Sequence, residues 1–245
     1  MDLWSIAILS AGGLIAGVVN TLAGGGSMLT VPLLVMLGLP GTVANGTNRV
    51  GILVQSLAAL RQFRRSGRGA LRDLVPVLLP LGIGALLGAL AISRVSDSAF
   101  ERSFGLVMLL MLAPTLWSPR PSQPTHRPWP PALRVAVFLA IGAYGGAFQV
   151  GVGIALLLAL GRTGHDLVTA NAIKVAAVAA LTLVALPVFI LQQQVAWGPA
   201  LVLAAGFGLG GQWGAQFAVR GGERLIRPVL AVATVALAAR MLGWL

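Results

Sequence analysis

The stretch from residue 12 to residue 50 constrains the fold of this chain more than any other. It begins as an apolar helical segment, breaks at Asn20-Thr21 and Gly24-Gly25-Gly26-Ser27, and becomes apolar again over residues 28–37. A further helical segment follows Gly38-Leu39-Pro40. A broken backbone at membrane depth is tolerated only where it is buried in protein or lines a cavity. The stretch therefore predicts a discontinuous membrane segment, which in transporters is the best indication of a binding site.

The composition supports a membrane protein. Of the 245 residues, 57% are hydrophobic and only 9% are charged, whereas a soluble domain carries roughly 25% charged residues. Residues 74–92 and 201–217 are apolar runs that approach the roughly 20 residues needed to cross a bilayer. We expect an all-α polytopic membrane protein. Its N-terminus lacks a basic region and a clear cleavage site, so we expect it to begin the first helix.

The absence of cysteine and the distribution of arginine exclude several classes of function. With no cysteine in the sequence, disulfides, thiolate metal sites and cysteine nucleophiles are excluded. The net charge of +11 comes mostly from arginines in loops, with one cluster in residues 61–72 and another in residues 220–227. This distribution is typical of the positive-inside rule rather than of nucleic-acid binding.

The second half of the chain repeats landmarks of the first half. Gly24-x-Gly26 corresponds to Gly151-x-Gly153 at a shift of 127, and Ala44-Asn45 corresponds to Ala170-Asn171 at a shift of 126. The glycines at 82, 84 and 88 correspond to those at 208, 210 and 214. We therefore expect a first transmembrane repeat over residues 1–117, a proline-rich cytoplasmic linker over 118–131, and a second repeat over 132–245.

Each half is expected to contain a glycine-broken or re-entrant helix pair plus about three spanning helices. The predicted helical segments are 3–19, 28–37, 43–63, 74–92 and 104–117 in the first half, and 132–148, an arm ending at 160, 167–191, 197–217 and 225–242 in the second.

Loop charges predict that the two repeats are inverted relative to each other. The arginine-rich loop 61–72 should be cytoplasmic, and its counterpart, the uncharged Gln192-Gln193-Gln194, should be outside. The charge-balanced loop 94–102 should be outside, whereas its counterpart 220–227 should be inside. Equivalent loops on opposite sides are typical of inverted repeats.

Two cationic side chains are predicted to lie near the middle of the membrane. Arg49 precedes Arg61 by 12 residues, or about 18 Å of helix, and Lys174 follows Asp166 by eight residues, or about 12 Å. Intramembrane charges cost at least about 2.5–3.5 kcal/mol and generally mark functional sites. Lys174 is the only lysine. The alternative is a snorkelling or internally paired side chain.

Positive charge without nearby acids favours a pocket for a small anion. The six acidic residues all lie near predicted helix ends or in loops, and broken helices add backbone N–H groups that favour anions. Ordinary interhelical hydrogen bonds are the alternative role for the neutral residues. Gln55 could line the same cavity, and the glycines at 84, 88, 210 and 214 are better interpreted as helix-packing residues. The predicted substrate-binding residues are Asn20, Gly24, Gly25, Gly26, Ser27, Asn45, Thr47, Asn48, Arg49, Gln149, Gly151, Gly153, Asn171 and Lys174.

The motifs in residues 16–50, 142–153 and 169–175 resemble those of the TauE/SafE family of membrane transporters. The resemblance covers nearly the whole chain. It implies an exporter of sulfite or small organosulfonates in the bacterial inner membrane. This chain has Phe148-Gln149 where the family often has an aromatic residue followed by glycine.

Several alternatives remain open from the sequence. They are an anion channel with the same pocket, a carrier for another small oxyanion or carboxylate, and an intramembrane enzyme, which the lack of cysteine, of a buried acid pair and of a metal-ligand cluster disfavours. No catalytic residue, metal or cofactor is expected. The expected partners are a small anionic substrate and the lipid bilayer, without nucleic acid, and the glycine-rich faces would permit a homodimer.

Overall fold

The computed structural model describes residues 1–66, 74–116, 129–160, 167–219, 235 and 237–243. Helices account for the regular structure of these ranges, which confirms the predicted all-α class. The elements are α1 (Leu3–Ala23), α2 (Ser27–Met36), α3 (Gly41–Arg65), α4 (Val75–Ile92), α5 (Asp97–Leu116), α6 (Pro131–Ala147), α7 (Val152–Leu160), α8 (Leu167–Leu191) and α9 (Trp197–Val219).

Three of these helices are long and apolar enough to cross a membrane: Leu3–Leu22, Val75–Ile92 and Val168–Leu191. By contrast, α2 and α7 have 10 and nine residues, or about 15 Å of helix each, which is half a bilayer core. The helices α2 and α7 therefore correspond to the two short apolar arms that the sequence predicted. Most of the linker 118–131, the loop 220–227 and most of the predicted helix 225–242 lie outside the described residues.

Two predicted boundaries were wrong. The helix α1 does not break at Asn20-Thr21 but continues to Ala23, so these polar residues occupy its last turn. The helix α5 begins at Asp97 rather than at residue 104. The Ser96 hydroxyl accepts a hydrogen bond from the Ala99 N–H at 3.3 Å, and an acidic residue in the first turn suits a helix N-terminus. Hydropathy detects only the apolar part of such a helix.

The helices α1, α3 and α9 run in the same direction. Gly13 of α1 packs against Leu203 of α9, and Gly17 packs against Phe207 and Gly210, so the residue numbers of the two helices rise together. Gly51 of α3 lies against Phe207 of α9, and Gln55 lies against Gly211, so the residue numbers of these two helices also rise together. These three helices begin at one end of the molecule, here called the first face.

The helices α4 and α6 run in the opposite direction. Because α4 follows α3 in the chain, it begins at the other end of the molecule, here called the second face. A Cβ atom on Gly84 would meet the carbonyl of Leu139, and one on Gly88 would meet that of Ala143. The numbers again rise together, so α6 also begins at the second face. Thus the pair α1–α2 starts from the first face, and the pair α6–α7 starts from the second.

Small residues allow these backbones to approach closely. A Cβ on Gly210 would meet the Leu14 carbonyl, and one on Gly214 would lie 2.8 Å from the Thr21 Cβ. The packing role predicted for the glycines at 84, 88, 210 and 214 is confirmed by these contacts.

Candidate functional site

The two glycine breaks touch each other at the centre of the molecule. Gly24 ends α1 in the left-handed conformation, with φ of 77°, and its N–H donates to the Asn20 carbonyl. A Cβ atom added to Gly24 would lie 2.7 Å from the Cα of Gly153, and one added to Gly153 would lie 2.8 Å from the Cα of Gly24. The crossing therefore needs glycine on both sides, and at Gly24 also a residue that tolerates positive φ.

Lys174 of α8 is seated on the C-terminal end of α1. Its side chain is buried, and its Nζ donates to the carbonyl of Thr21 at 2.7 Å and to that of Asn20 at 3.4 Å. A Cβ on Gly153 would lie 3.2 Å from the Lys174 Cδ, so the aliphatic chain passes beside the second glycine break. The negative end of the α1 dipole thus faces the ammonium group.

Arg49 of α3 makes the equivalent contact with the C-terminal end of α6. The side chain is 0% exposed, and its guanidinium donates to the carbonyls of residues 145–147 at 2.5–3.3 Å. It also donates to Gln149 Oε1 at 2.6 Å, and its Cζ lies 4.4 Å from the centre of the Phe189 ring. Each buried cation therefore contacts the broken helix of the other half of the chain.

Gln55 holds the end of α1 against α3. Its Oε1 accepts from Asn20 Nδ2 at 2.6 Å, and its Nε2 donates to Thr21 Oγ1 at 2.7 Å. Asn20 Oδ1 in turn accepts the N–H of Gly26 at 3.3 Å. The side chains of Asn20 and Gln55 thus stabilise the geometry of the first break, because they hydrogen-bond to polar groups of α1 before the break and to the Gly26 N–H after it.

Gln149 has the corresponding position at the second break. Its backbone adopts φ of 62°, a left-handed conformation that is uncommon for residues other than glycine. Its Nε2 donates to Thr182 Oγ1 at 2.6 Å while its Oε1 accepts from Arg49. Sparsely populated backbone conformations persist where the surrounding contacts enforce them, and they cluster at functional sites.

Other predicted site residues are used to join helices. Asn48 donates to Ser27 Oγ at 3.0 Å and accepts from Thr30 Oγ1 at 2.5 Å, which ties α3 to α2. Thr47 Oγ1 accepts the N–H of Ala196 at 2.9 Å and so holds the α8–α9 connection at the first face. These contacts match the alternative of ordinary interhelical hydrogen bonds.

Gly25 and Gly151, two further predicted glycines, contribute through their backbone conformation and hydrogen bonds. The Gly25 carbonyl accepts the N–H of Met28 at 3.0 Å in the first turn of α2. Gly151 has φ of 64° and lies against Met111.

Four predicted residues meet at a cleft between the two breaks, and three others gather at the end of α6. The cleft is too narrow to hold a water molecule, and its lining comprises Asn20, Gly24, Gln55, Ser56, Gly153, Lys174, Val175 and Val178. At the end of α6, Asn45 Nδ2 donates to the Ala147 carbonyl at 2.9 Å beside Arg49 and Gln149.

Some buried polar atoms of the described residues have no hydrogen-bond partner. Asn171, which is 2% exposed, is unpaired at both its Oδ1 and its Nδ2. The other unpaired atoms are Asn45 Oδ1, Arg49 Nε, Ser56 Oγ and Gln194 Oε1.

Sequence reasoning missed Ser56 and Thr182, and it gave Gln55 little weight. Ser56 and Thr182 are separated by the same 126 residues as Asn45 and Asn171. A search for polar residues at this spacing would have identified both. Most cross-half contacts of Arg49 and Lys174 left no comparable trace in the sequence, since apart from Gln149 the partners are backbone carbonyls.

The chain matches the family described as "Sulfite exporter TauE/SafE" over residues 9–241. It belongs to the TauE/SafE family. This confirms the resemblance seen in the motifs. A "Probable membrane transporter protein" of Haemophilus influenzae is 29% identical over 98% of this chain and 96% of its own length.

Two further proteins are similar to this chain over most of its length. The "Probable membrane transporter protein ORF9" of Sinorhizobium is 29% identical over 97% of this chain and 92% of its own length. The "Probable membrane transporter protein YfcA" of Escherichia coli K12 is 25% identical over 94% of this chain and 86% of its own length. No solved structure matches the chain. As a member of this family the protein is a membrane transporter.

Proposed function

We propose that this protein exports a small anion, sulfite or an organosulfonate, across the bacterial inner membrane. The anion would bind near the middle of the bilayer, between two inverted repeats, and would cross by alternating access. The observation that carries the proposal is that Arg49 and Lys174 are both buried beside the two glycine breaks, which touch each other. The family description supports sulfite as the first substrate to test.

The electrostatic balance around the breaks favours an anion. Each cation carries a full positive charge, whereas the helix end that it contacts supplies only about half a negative charge. Among the described residues the carboxylates are Asp2, Asp97 and Glu101. Asp2 caps α1, and Asp97 accepts from Thr42 at the start of α3, so both lie at helix ends. The helix ends neutralise only part of the positive charge of Arg49 and Lys174, and a bound anion would neutralise the rest.

The helix directions support the inverted repeats. The pair α1–α2 starts from the first face and α6–α7 from the second, and the cation of each half contacts the broken helix of the other. In the proposed mechanism one half tilts against the other about the contact between Gly24 and Gly153. Such a movement would expose the cleft to one side of the membrane at a time.

The experiment is flux of radiolabelled sulfite in proteoliposomes. Wild-type protein should give saturable flux, and Arg49→Ala and Lys174→Ala should abolish it while remaining folded by size-exclusion chromatography. Arg64→Ala, which removes an exposed arginine of α3, is the matched control and should retain flux. Wild-type flux in both buried-cation variants would show that the site is elsewhere.

Competition with sulfoacetate, sulfate and acetate identifies the substrate. Inhibition by sulfoacetate alone would support the sulfur oxyanion and sulfonate class. If another anion shows saturable flux and sulfite shows none, the proposed mechanism stands and the proposed substrate is wrong.

The closed cleft favours a carrier over an anion channel. A channel with the same pocket would require a continuous path, whereas this cleft does not admit a water molecule. Counterflow distinguishes the two: unlabelled sulfite inside the vesicles should drive transient accumulation of labelled sulfite by a carrier, and a channel would show none.

A further inference from the structure

Asn171 differs from the other polar residues predicted to bind substrate, because neither polar atom of its side chain is hydrogen-bonded. Asn20, Asn48 and Gln149 use both ends of their amides to join helices. Exchanging the oxygen and nitrogen of the Asn171 amide would leave the same unused donor and acceptor. The side chain is nevertheless 2% exposed, and an unpaired buried amide carries a desolvation penalty.

The position of Asn171 relates it to the buried cation. It precedes Lys174 by three residues on α8, and residues three and four apart lie on the same face of a helix. Lys174 and Val178, one turn further on, line the cleft. Asn171 therefore lies about one turn before Lys174 on the same face of α8, toward the start of this helix at the second face.

The unused functions indicate which kind of anion fits. A fully deprotonated oxyanion has only acceptors, so it can satisfy the Asn171 NH₂ but would repel the amide oxygen. An oxyanion that keeps one acidic proton offers an acceptor and an O–H donor side by side. Asn45 Oδ1, at the equivalent position of the first half, is a second buried acceptor without a donor.

We propose that Asn171 binds the transported anion directly and selects its proton-bearing monoanion, which for sulfite is hydrogensulfite. The amide NH₂ would donate to an anion oxygen, the amide oxygen would accept the acidic O–H, and Lys174 would neutralise the charge. The inference rests on the proposed function and adds the protonation state of the substrate.

The described residues around Asn171 include few ionisable side chains, and on α8 itself the ionisable residue is Lys174. The described parts of α4, α7 and α9 carry no ionisable side chain. On the other helices that pack against α8, the ionisable residues are Arg49, Arg61, Arg64, Arg65, Arg134 and Tyr144. None of these residue types normally titrates between about pH 5 and 8. The two histidines of the chain, His126 and His165, lie outside the described residues and would affect any bound anion alike. A pH dependence that sulfite shows and an anion without an acidic proton does not show would therefore report the ligand.

The test is calorimetric binding to purified protein in detergent, with two probes. Sulfite is titrated at several pH values across the loss of the hydrogensulfite proton, and methanesulfonate serves as a monoanion without an acidic proton. We expect the wild-type affinity for sulfite to follow the hydrogensulfite fraction. Methanesulfonate should bind at least about tenfold more weakly, as expected for one lost hydrogen bond to a charged ligand, with no pH dependence.

Asn171→Leu removes both amide functions and keeps the number of side-chain heavy atoms and the branch at Cγ. It should weaken sulfite binding about tenfold or more and make the affinities for sulfite and methanesulfonate similar. Its melting temperature should not fall, because no hydrogen bond of the empty protein is lost. Gln192→Leu, the same chemical change at an exposed position of the α8–α9 connection, should leave binding unchanged.

The outcomes separate the two proposals. If Asn171→Leu keeps the wild-type affinity and pH dependence, the inference is wrong and the proposed function stands. Equal binding of methanesulfonate and sulfite by the wild type also overturns the inference, and this comparison requires no variant. A folded wild-type protein that binds neither anion overturns both.

Discussion

At the scale of single residues, the buried cations are stabilised by helix ends rather than by carboxylates. Arg49 and Lys174 both donate to backbone carbonyls in the last turn of a broken helix. A carboxylate partner would cancel the charge, whereas a carbonyl cluster satisfies the donors and leaves net positive potential. The sequence predicted both buried cations from their distance to the helix ends. It also named Gln149, which accepts from Arg49, but it could not predict the backbone carbonyls that the two cations contact in the opposite half.

Gln55 tests whether side chains hold the first break in place. Gln55→Leu should leave Asn20 Nδ2 without its acceptor and remove the bond that Thr21 Oγ1 accepts, although Thr21 still donates to the Gly17 carbonyl. We expect this to destabilise the protein by about 1–3 kcal/mol. Thermal unfolding in detergent measures this as a lower melting temperature. Gln192→Leu at the exposed loop should unfold at the wild-type temperature. A stable Gln55→Leu protein would show that glycine geometry alone fixes the break.

At the scale of helices, glycine determines which surfaces pack. The pairs α1–α9 and α4–α6 approach until a Cβ on one helix would meet a backbone carbonyl of the next. The sequence predicted this role from the repeated small residues, though not which helices they join. It also missed the first two turns of α5, because the capping by Ser96 is a local polar contact that precedes the apolar residues.

Two glycines of α4 provide a matched comparison of packing and helix propensity. A Cβ on Gly88 would meet the Ala143 carbonyl, so Gly88→Ala should separate α4 from α6 and cost about 1–3 kcal/mol or more. At Gly82 the nearest atom is the Val184 Cγ2 at 3.8 Å, so Gly82→Ala should be neutral or stabilising by up to about 1 kcal/mol. Melting temperatures of the two variants should therefore move in opposite directions or differ by several degrees. Equal effects would argue against the close contact.

The contact between the two breaks is tested by a second pair of glycines. Gly24 and Gly38 both have positive φ, of 77° and 92°. An alanine at either position bears backbone strain of about 1–2 kcal/mol. Only at Gly24 would the new Cβ also lie 2.7 Å from the Gly153 Cα, whereas at Gly38 nothing lies within 4 Å. Gly24→Ala should therefore abolish sulfite flux and lower the melting temperature more than Gly38→Ala, and equal loss in both would show that strain alone matters.

At the scale of the whole molecule, the two halves of the chain are joined by contacts around the two glycine breaks. Glycine and asparagine landmarks predicted two related halves, but they could not show that each cation reaches into the opposite half. The loops 93–96 and 192–196 meet at the first face, where Gln194 Nε2 donates to the Ser93 carbonyl at 2.9 Å. This agrees with the prediction from loop charge that both lie on one side of the membrane.

The absence of cysteine allows the orientation to be measured directly. Ser66 and Gln192 are exposed at opposite faces. In Ser66→Cys the thiol should react with a membrane-impermeant maleimide only after permeabilisation, because it adjoins the arginines that end α3. In Gln192→Cys the thiol should react with the same maleimide in intact spheroplasts. The reverse pattern would invert the orientation, and identical accessibility of both would contradict the assignment of opposite faces.

The pairing of α1 with α9 has a consequence for how the protein is made. Gly13 packs against Leu203, 190 positions later in the chain. At a synthesis rate of roughly 5–20 residues per second, the first helix waits on the order of 10–40 s before its partner leaves the ribosome. During that interval its glycine-lined surface faces lipid or the insertion machinery. Truncation before α9 would therefore leave the earliest helix without this partner, so α1 completes its packing only after α9 has been synthesised.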